Sequence, residues 1–126
     1  MNIIGTGIDL VENARIAASI EKFSDAFLHR LFTAGELAYC QPKHNPIPHY
    51  AARFAAKEAV SKAFGCGIGA ELGWLDIEVI RDESGAPSVL LHGAGRELAE
   101  KRGVRRILLS LSHTDTYAVA NALLIG

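Results

Sequence analysis

No run of apolar residues in this chain reaches the roughly 18 needed to cross a bilayer, so no transmembrane helix and no membrane partner are expected. Cysteine is nearly absent. Cys40 and Cys66 are too few for a disulfide framework and stand in no metal-like spacing, which suggests two free thiols in a reducing cytoplasm. The opening Met1-Asn2-Ile3-Ile4-Gly5 lacks a basic start, a continuous apolar stretch and a small-residue cleavage site, so it does not read as a signal peptide. An excess of one charge is missing too. Thirteen Lys and Arg against 14 Asp and Glu give a net charge of −1, which speaks against nucleic acid as a partner. The one basic cluster, Lys101, Arg102, Arg105 and Arg106, brackets Gly103 and reads as the cation-rich end of a helix. Of only four prolines, Pro42, Pro46 and Pro48 fall together and mark Gln41 to His49 as a loop.

What is present is enough apolar material for a core: 49% of 126 residues, read as one domain spanning 1–126. Ile3 to Leu10 predicts a strand with Asp9 at its end. Ile16, Ile20, Phe23 and Phe27 recur at helical spacing from about Val11 to Phe32, with a break expected at Ser24-Asp25. Thr33 with Glu36 three residues on is a capping box for a helix through Tyr39. A long helix follows from about His49 to Phe64 and stops at a glycine-rich stretch. Leu75 to Ile80 alternates as a half-buried strand, Asp82 to Gly85 turns, and Ser88 to His92 returns. Gly93 to Arg102 is a short helix. Val104 to Ser112 and Thr116 to Ile125 are apolar strands joined at Thr114-Asp115. The sum is an α+β domain, an antiparallel sheet packed against its long helix.

The chemistry concentrates in Arg53-Phe54-Ala55-Ala56-Lys57-Glu58-Ala59-Val60-Ser61-Lys62-Ala63-Phe64-Gly65. At 3.6 residues per turn, Phe54, Glu58, Ser61 and Gly65 share one stripe with Lys62 beside them. A carboxylate, a hydroxyl, an ammonium and a glycine break in line can hold a metal and a phosphate together. The plain alternative is an alanine-rich helix with a Glu58–Lys62 pair at i, i+4. Gly7-Ile8-Asp9 adds a second carboxylate, and Asp9 with Glu58 suits Mg²⁺, which takes one or two protein carboxylates and finds its other ligands in water and phosphate. Asp9 also reads as a helix N-cap, and Glu12 as a third ligand or a first-turn helix acid. Lys62 and Arg53 are phosphate donors or solvated helix charges. Gly65-Cys66-Gly67-Ile68-Gly69 offers backbone N–H groups but lacks P-loop spacing. His113, in Ser112-His113-Thr114, reads as a general base, as a donor to a phosphate or alcohol, or as a plain turn residue.

Gly7-Ile8-Asp9 with Arg15, the Arg53-to-Gly65 helix, and Ser110-Leu111-Ser112-His113-Thr114 with Tyr117-Ala118-Val119-Ala120 together resemble the holo-[acyl-carrier-protein] synthases, the short bacterial 4′-phosphopantetheinyl transferases. The resemblance covers nearly the whole chain. It implies transfer of the phosphopantetheine arm of coenzyme A to a serine of apo acyl carrier protein, releasing adenosine 3′,5′-bisphosphate. It also implies a cytoplasmic homotrimer with each active site between neighbouring subunits. By resemblance, Asp9 and Glu58 bind Mg²⁺, and Arg53, Ser61, Lys62 and Gly65 contact coenzyme A. Lys43 and His44 reach its phosphates, and His113 with Thr114 comes from the adjoining chain. The first helix, from Arg15 through Lys22 to His29 and Arg30, meets the carrier protein. Proton removal from the serine falls to Glu58, to a water on the metal, or to His113. The chain departs from its relatives' usual pattern at Cys66, where Thr is frequent, at Ala86, where Lys is common, and at His44, where a second basic residue is common.

Overall fold

Two glycines let the long helix lie against the sheet almost backbone to backbone. A Cβ on Gly7 would collide with the Ala59 carbonyl and stand 2.7 Å from the Ala63 nitrogen; Gly5 meets the Ala63 carbonyl in the same way. The helix side of this contact is equally stripped, with Ala55, Ala56, Ala59 and Ala63 turned to the sheet or buried beside it. Close approach of this kind excludes water and packs small surfaces densely. It also fixes where the helix's charged flanks emerge.

The computed structural model describes residues 2–126. Strand β1 (Ile3–Glu12) leads into helix α1 (Asn13–Leu31), then α2 (Ala34–Cys40) and the long α3 (Ile47–Phe64). A short 3-10 turn at Trp74–Asp76 precedes the hairpin of β2 (Ile77–Arg81) and β3 (Pro87–Leu91). Helix α4 (Gly93–Arg102) and strands β4 (Arg106–His113) and β5 (Tyr117–Ile125) complete the chain. The strands form two antiparallel sheets, β1-β5-β4 and β2-β3. In the larger one Asp9 lies opposite Ala120, Val11 opposite Ala118, and Ala118 in turn opposite His113. Alternation along β5 turns Ala118, Ala120, Ala122 and Leu124 inward to α3, with almost no exposure.

Several boundaries differ from those read in the sequence. β1 runs on to Glu12, so Asp9 is a strand residue and not a helix cap. Glu12 flanks α1 without capping it, and the first turn of α1 carries no acid. Helix α3 begins at Ile47 because Pro46 occupies its cap position and Pro48 its first turn, where the missing N–H would have no partner anyway. Leu75 belongs to the 3-10 turn and is exposed, so the half-buried alternation starts at Ile77. The expected break in α1 is real: Ser24 sits at φ 50, ψ −132. The Thr33–Glu36 capping box is present with both bonds. Cys40 and Cys66 are both free thiols. No described helix is long and apolar enough to cross a membrane.

Beneath α2, the fold holds an ion pair with neither side chain exposed. The Lys57 ammonium lies 2.7 Å from Glu36 Oε1 and also donates to the carbonyls of Trp74 (2.9 Å) and Ile77 (2.6 Å). Glu36 accepts in addition from Thr33 N and Val79 N, each at 2.8 Å. Every strong valence of the pair is met, which is the condition for tolerating charge in a core. This one cluster ties α2, α3, the 3-10 turn and β2 together.

Candidate active site

The residues singled out in the sequence divide into two groups, on opposite flanks of α3. Beside β1, Lys62 Nζ is 2.9 Å from Asp9 Oδ1 and 3.1 Å from the Ile8 carbonyl. Lys62 thus pairs across the fold and not with Glu58 at i, i+4, the plain alternative in the sequence, because the glycine-thin contact brings Asp9 within reach of the helix. Glu58 stands one turn before Lys62 on the same flank. Burial chiefly, and the Asp9 charge next, push the Glu58 carboxyl above its usual range, against the opposing pull of Lys62. Phe54, a further turn back, stacks on Trp74 with ring centres 5.2 Å apart. Behind that stack lies an apolar cavity of about 400 Å³ walled by Phe23, Phe27, Leu31, Phe54 and Trp74, with Arg30 also lining it.

Ser61 does not share this exposed stripe. It is fully buried, and its hydroxyl donates to the Glu58 carbonyl. Its own carbonyl accepts from Cys66 N and Gly67 N, so it shapes the loop after the helix. Gly65 ends α3 at φ 76, with open space where a side chain would stand. Its surroundings leave room for a ligand.

The second group lies beside α2 and β4. The Tyr39 ring carries three cations: Arg53 at 4.0 Å, Lys43 at 4.4 Å and Arg81 at 4.9 Å from its centre. Among the described residues none of the three cations is in an ion pair. Arg53 is buried, with Nη1 donating to the His49 carbonyl at 3.4 Å and Nε without a partner. Burial alone pushes the Tyr39 phenol up, yet the charge and hydrogen bond of Arg81, then Lys43 and Arg53, outweigh it and hold the phenol below its ordinary value. His49 stands edge-on to Tyr39 at 5.8 Å and to His113 at 5.4 Å. His113 is exposed at the end of β4. The Thr114 hydroxyl accepts from Thr116 N and Tyr117 N, which makes it a turn-former first. His44 is exposed on the loop beside Lys43. An unpaired buried guanidinium among further cations is a site for an anion.

Helix geometry sets the two groups apart. Glu58 and His49 are nine residues apart on α3, about 180° around the axis and about 13.5 Å along it. Asp9 and His113 are separated by two strand spacings and two residues, about 12 Å between Cα atoms. One chain thus shows a carboxylate–ammonium group at one sheet edge and a cation–histidine group at the other. Arg53 and Lys43 sort with His113, not with Glu58.

Sequence reasoning missed Tyr39, His49 and Arg81, because four separate elements bring this group together and no local spacing announces it. It also left Lys57 without a role. A lysine set among Ala55, Ala56, Ala59 and Val60 on a helix buried nearly all round was the available signal that it must be paired inside.

Comparison with known proteins agrees along the chain. Residues 5–122 match the model of the 4′-phosphopantetheinyl transferase superfamily. The chain is 50% identical over 122 residues to the holo-[acyl-carrier-protein] synthase of Koribacter versatilis, covering 97% of this chain and 98% of that one. The crystal structure of holo-[acyl-carrier-protein] synthase from Neisseria meningitidis shares the fold with a TM-score of 0.93 at 33% identity, covering 99% of this chain and 100% of that one. That of Helicobacter pylori, in complex with coenzyme A, gives 0.85 at 33% identity, covering 95% and 99%. A match of this extent in both sequence and fold means that the chain belongs to the holo-[acyl-carrier-protein] synthases, enzymes of the 4′-phosphopantetheinyl transferase superfamily.

Proposed function

We propose that this protein transfers the 4′-phosphopantetheine arm of coenzyme A to a serine of apo acyl carrier protein and releases adenosine 3′,5′-bisphosphate. The observation that carries this reading is the pair of complementary half-sites. A carboxylate pair with a lysine suits a cation and a reacting pyrophosphate, and an unneutralised cation cluster suits the remaining phosphate. A relative's complex with coenzyme A supports the donor.

The bond formed joins the serine oxygen to the pantetheine-side phosphorus, and the bond broken is the pyrophosphate bridge. Asp9 and Glu58 are the residues that would hold Mg²⁺. Both lie on the Lys62 flank of α3, and the Asp9 charge already bears on the Glu58 carboxyl, a repulsion that a cation completing its shell from water and phosphate would relieve. When bound, Mg²⁺ supplies charge neutralisation on the pyrophosphate. Lys62 adds a fixed positive charge on the same flank. The serine proton leaves to Glu58 directly or through a water beside it; burial and the Asp9 charge hold that carboxyl above its usual range only while no cation sits between the two. Arg53, Lys43 and His113 hold the donor's outlying phosphate, and the open backbone after Gly65 faces the donor.

The half-sites lie on opposite flanks of one chain, so a complete site forms where the Glu58 flank of one copy meets the His113 flank of the next. Such head-to-tail association closes into a ring, and family resemblance makes it a trimer. The outer face of the β1-β5-β4 sheet supports this assembly. It exposes the apolar side chains of Ile8, Leu10, Leu108 and Tyr117, which contact with a second copy would cover. The carrier protein docks on α1, where Arg15 and Lys22 share an exposed face and the Phe23–Trp74 cavity opens beside Arg30.

The test is complementation. Glu58→Gln and Arg53→Ala are each inactive alone. Co-refolded in equal amounts they recover about a quarter of wild-type turnover, since a random ring pairs two intact halves about once in four contacts. Recovery at background level would show that both halves act within one chain.

A further inference from the structure

His49 bridges two features of the second half-site. Its ring packs edge-on against Tyr39, the residue that gathers Lys43, Arg53 and Arg81, and edge-on against His113. Its carbonyl takes the Arg53 Nη1 hydrogen bond. It stands in the first turn of α3, on the element whose start Pro46 and Pro48 make rigid. His113, by contrast, is exposed as the last residue of β4, next to a turn, and among the described residues no hydrogen bond holds its ring. The only aromatic neighbour bracing that ring, among the described residues, is His49.

We propose that His49 is a positioning residue: its imidazole, wedged between Tyr39 and His113, sets where the His113 ring stands relative to the Lys43, Arg53 and Arg81 cations. The inference rests on reading His113 as a donor-contacting group. Edge-on aromatic contacts of this spacing are attractive and directional, so the stack favours one His113 rotamer over those open to a free exposed side chain. A fixed ring lowers the ordering cost when the phosphate arrives. The contact needs a neutral wedge. Burial first, then the charges of His113, Lys43, Arg53 and Arg81, hold the His49 imidazole below its usual value, which favours the neutral ring. Tyr39 from α2, Lys43 from the loop, Arg53 from α3, Arg81 from β2 and His113 from β4 are the titratable groups that face it, and none of them is a carboxylate.

The test uses intact enzyme with coenzyme A, Mg²⁺ and apo acyl carrier protein, and compares four variants. His49→Ala raises KM for coenzyme A about fivefold and leaves kcat within about twofold, the pattern of lost ground-state binding. His49→Phe, which keeps an aromatic edge, returns KM to near wild type. His113→Ala raises KM as well, and His49→Ala combined with His113→Ala is no worse than His113→Ala alone, because the first residue acts through the second. The ring-proton resonances of His113 shift in His49→Ala and return toward their wild-type positions in His49→Phe. If His113→Ala weakens coenzyme A and His49→Ala does not, or if His49→Phe is as impaired as His49→Ala, the positioning role is wrong. If His113→Ala leaves KM unchanged, the assignment of His113 to the donor site falls, and the role of His49 falls with it.

Discussion

Replacing Lys57 with methionine leaves the Glu36 carboxylate in the core without its counter-charge. Both side chains of the pair are fully buried. Glu36 keeps its bonds from Thr33 N and Val79 N, so it cannot swing out to water. The carbonyls of Trp74 and Ile77 lose a donor at the same time. Breaking a buried pair from one side costs about 3–5 kcal/mol. Against a total stability of about 5–15 kcal/mol for a domain this is a large fraction. At about 4 °C per kcal/mol for a chain of this size, the melting temperature falls by about 12–20 °C. Burial, opposed by Glu36, lowers the Lys57 pKa, so the ammonium is held at some cost that only its partners offset. A Glu36→Gln, Lys57→Met double variant is therefore less damaged than the sum of the single ones. Thermal and urea melts at neutral pH measure both quantities. A single-variant melting temperature within a few degrees of wild type would refute the claim that this pair joins α2 to α3.

Gly7→Ala forces a methyl into the Ala59 carbonyl and the α3 backbone, neither of which can yield, and costs more than about 3 kcal/mol in urea melts while shifting Asp9 away from Lys62. Glu78 gives a pH-dependent case. Burial alone raises its carboxyl, but the hydrogen bonds from His92 and Thr33, then the charges of His92 and Lys57, bring it below its ordinary value. A depressed acid adds stability above its unfolded value and loses it as pH falls through the folded one. Glu78→Gln thus costs about 1 kcal/mol at pH ~7, and the gap to wild type shrinks below pH ~4; equal gaps at both pH values would count against it. The KM for carrier protein rises severalfold with added salt, and Arg15→Glu with Lys22→Glu raises it further at low salt, since the docking face works through screened charge.

Where the signal was local, the fold was legible. The Thr33–Glu36 box, the break at Ser24 and the apolar strand from about Thr116 to Ile125 each follow from neighbours in the chain. Pro46 and Pro48 misled because proline marks loops and helix starts alike, and only the packing of α3 decides which. Asp9 read as a strand end because the residues after it suited a helix; pairing with β5 as far as Tyr117 carried the strand to Glu12. At the site, Asp9, Glu58 and Lys62 were visible as residue types that make sense together. Which of them touch was not, since the Lys62–Asp9 contact depends on how closely Gly5 and Gly7 let the helix approach. The Tyr39 cluster draws on α2, the loop, α3, β2 and β4, and contacts of that range leave no periodicity to read.

The most direct measurement is the intact mass of apo acyl carrier protein after incubation with this enzyme, coenzyme A and Mg²⁺, with Glu58→Gln and chelator controls. A gain of one phosphopantetheine, lost with chelator and with Glu58→Gln although that variant melts as wild type, is the result this account predicts. No gain on a carrier that another transferase modifies, or equal gain from Glu58→Gln, would contradict it.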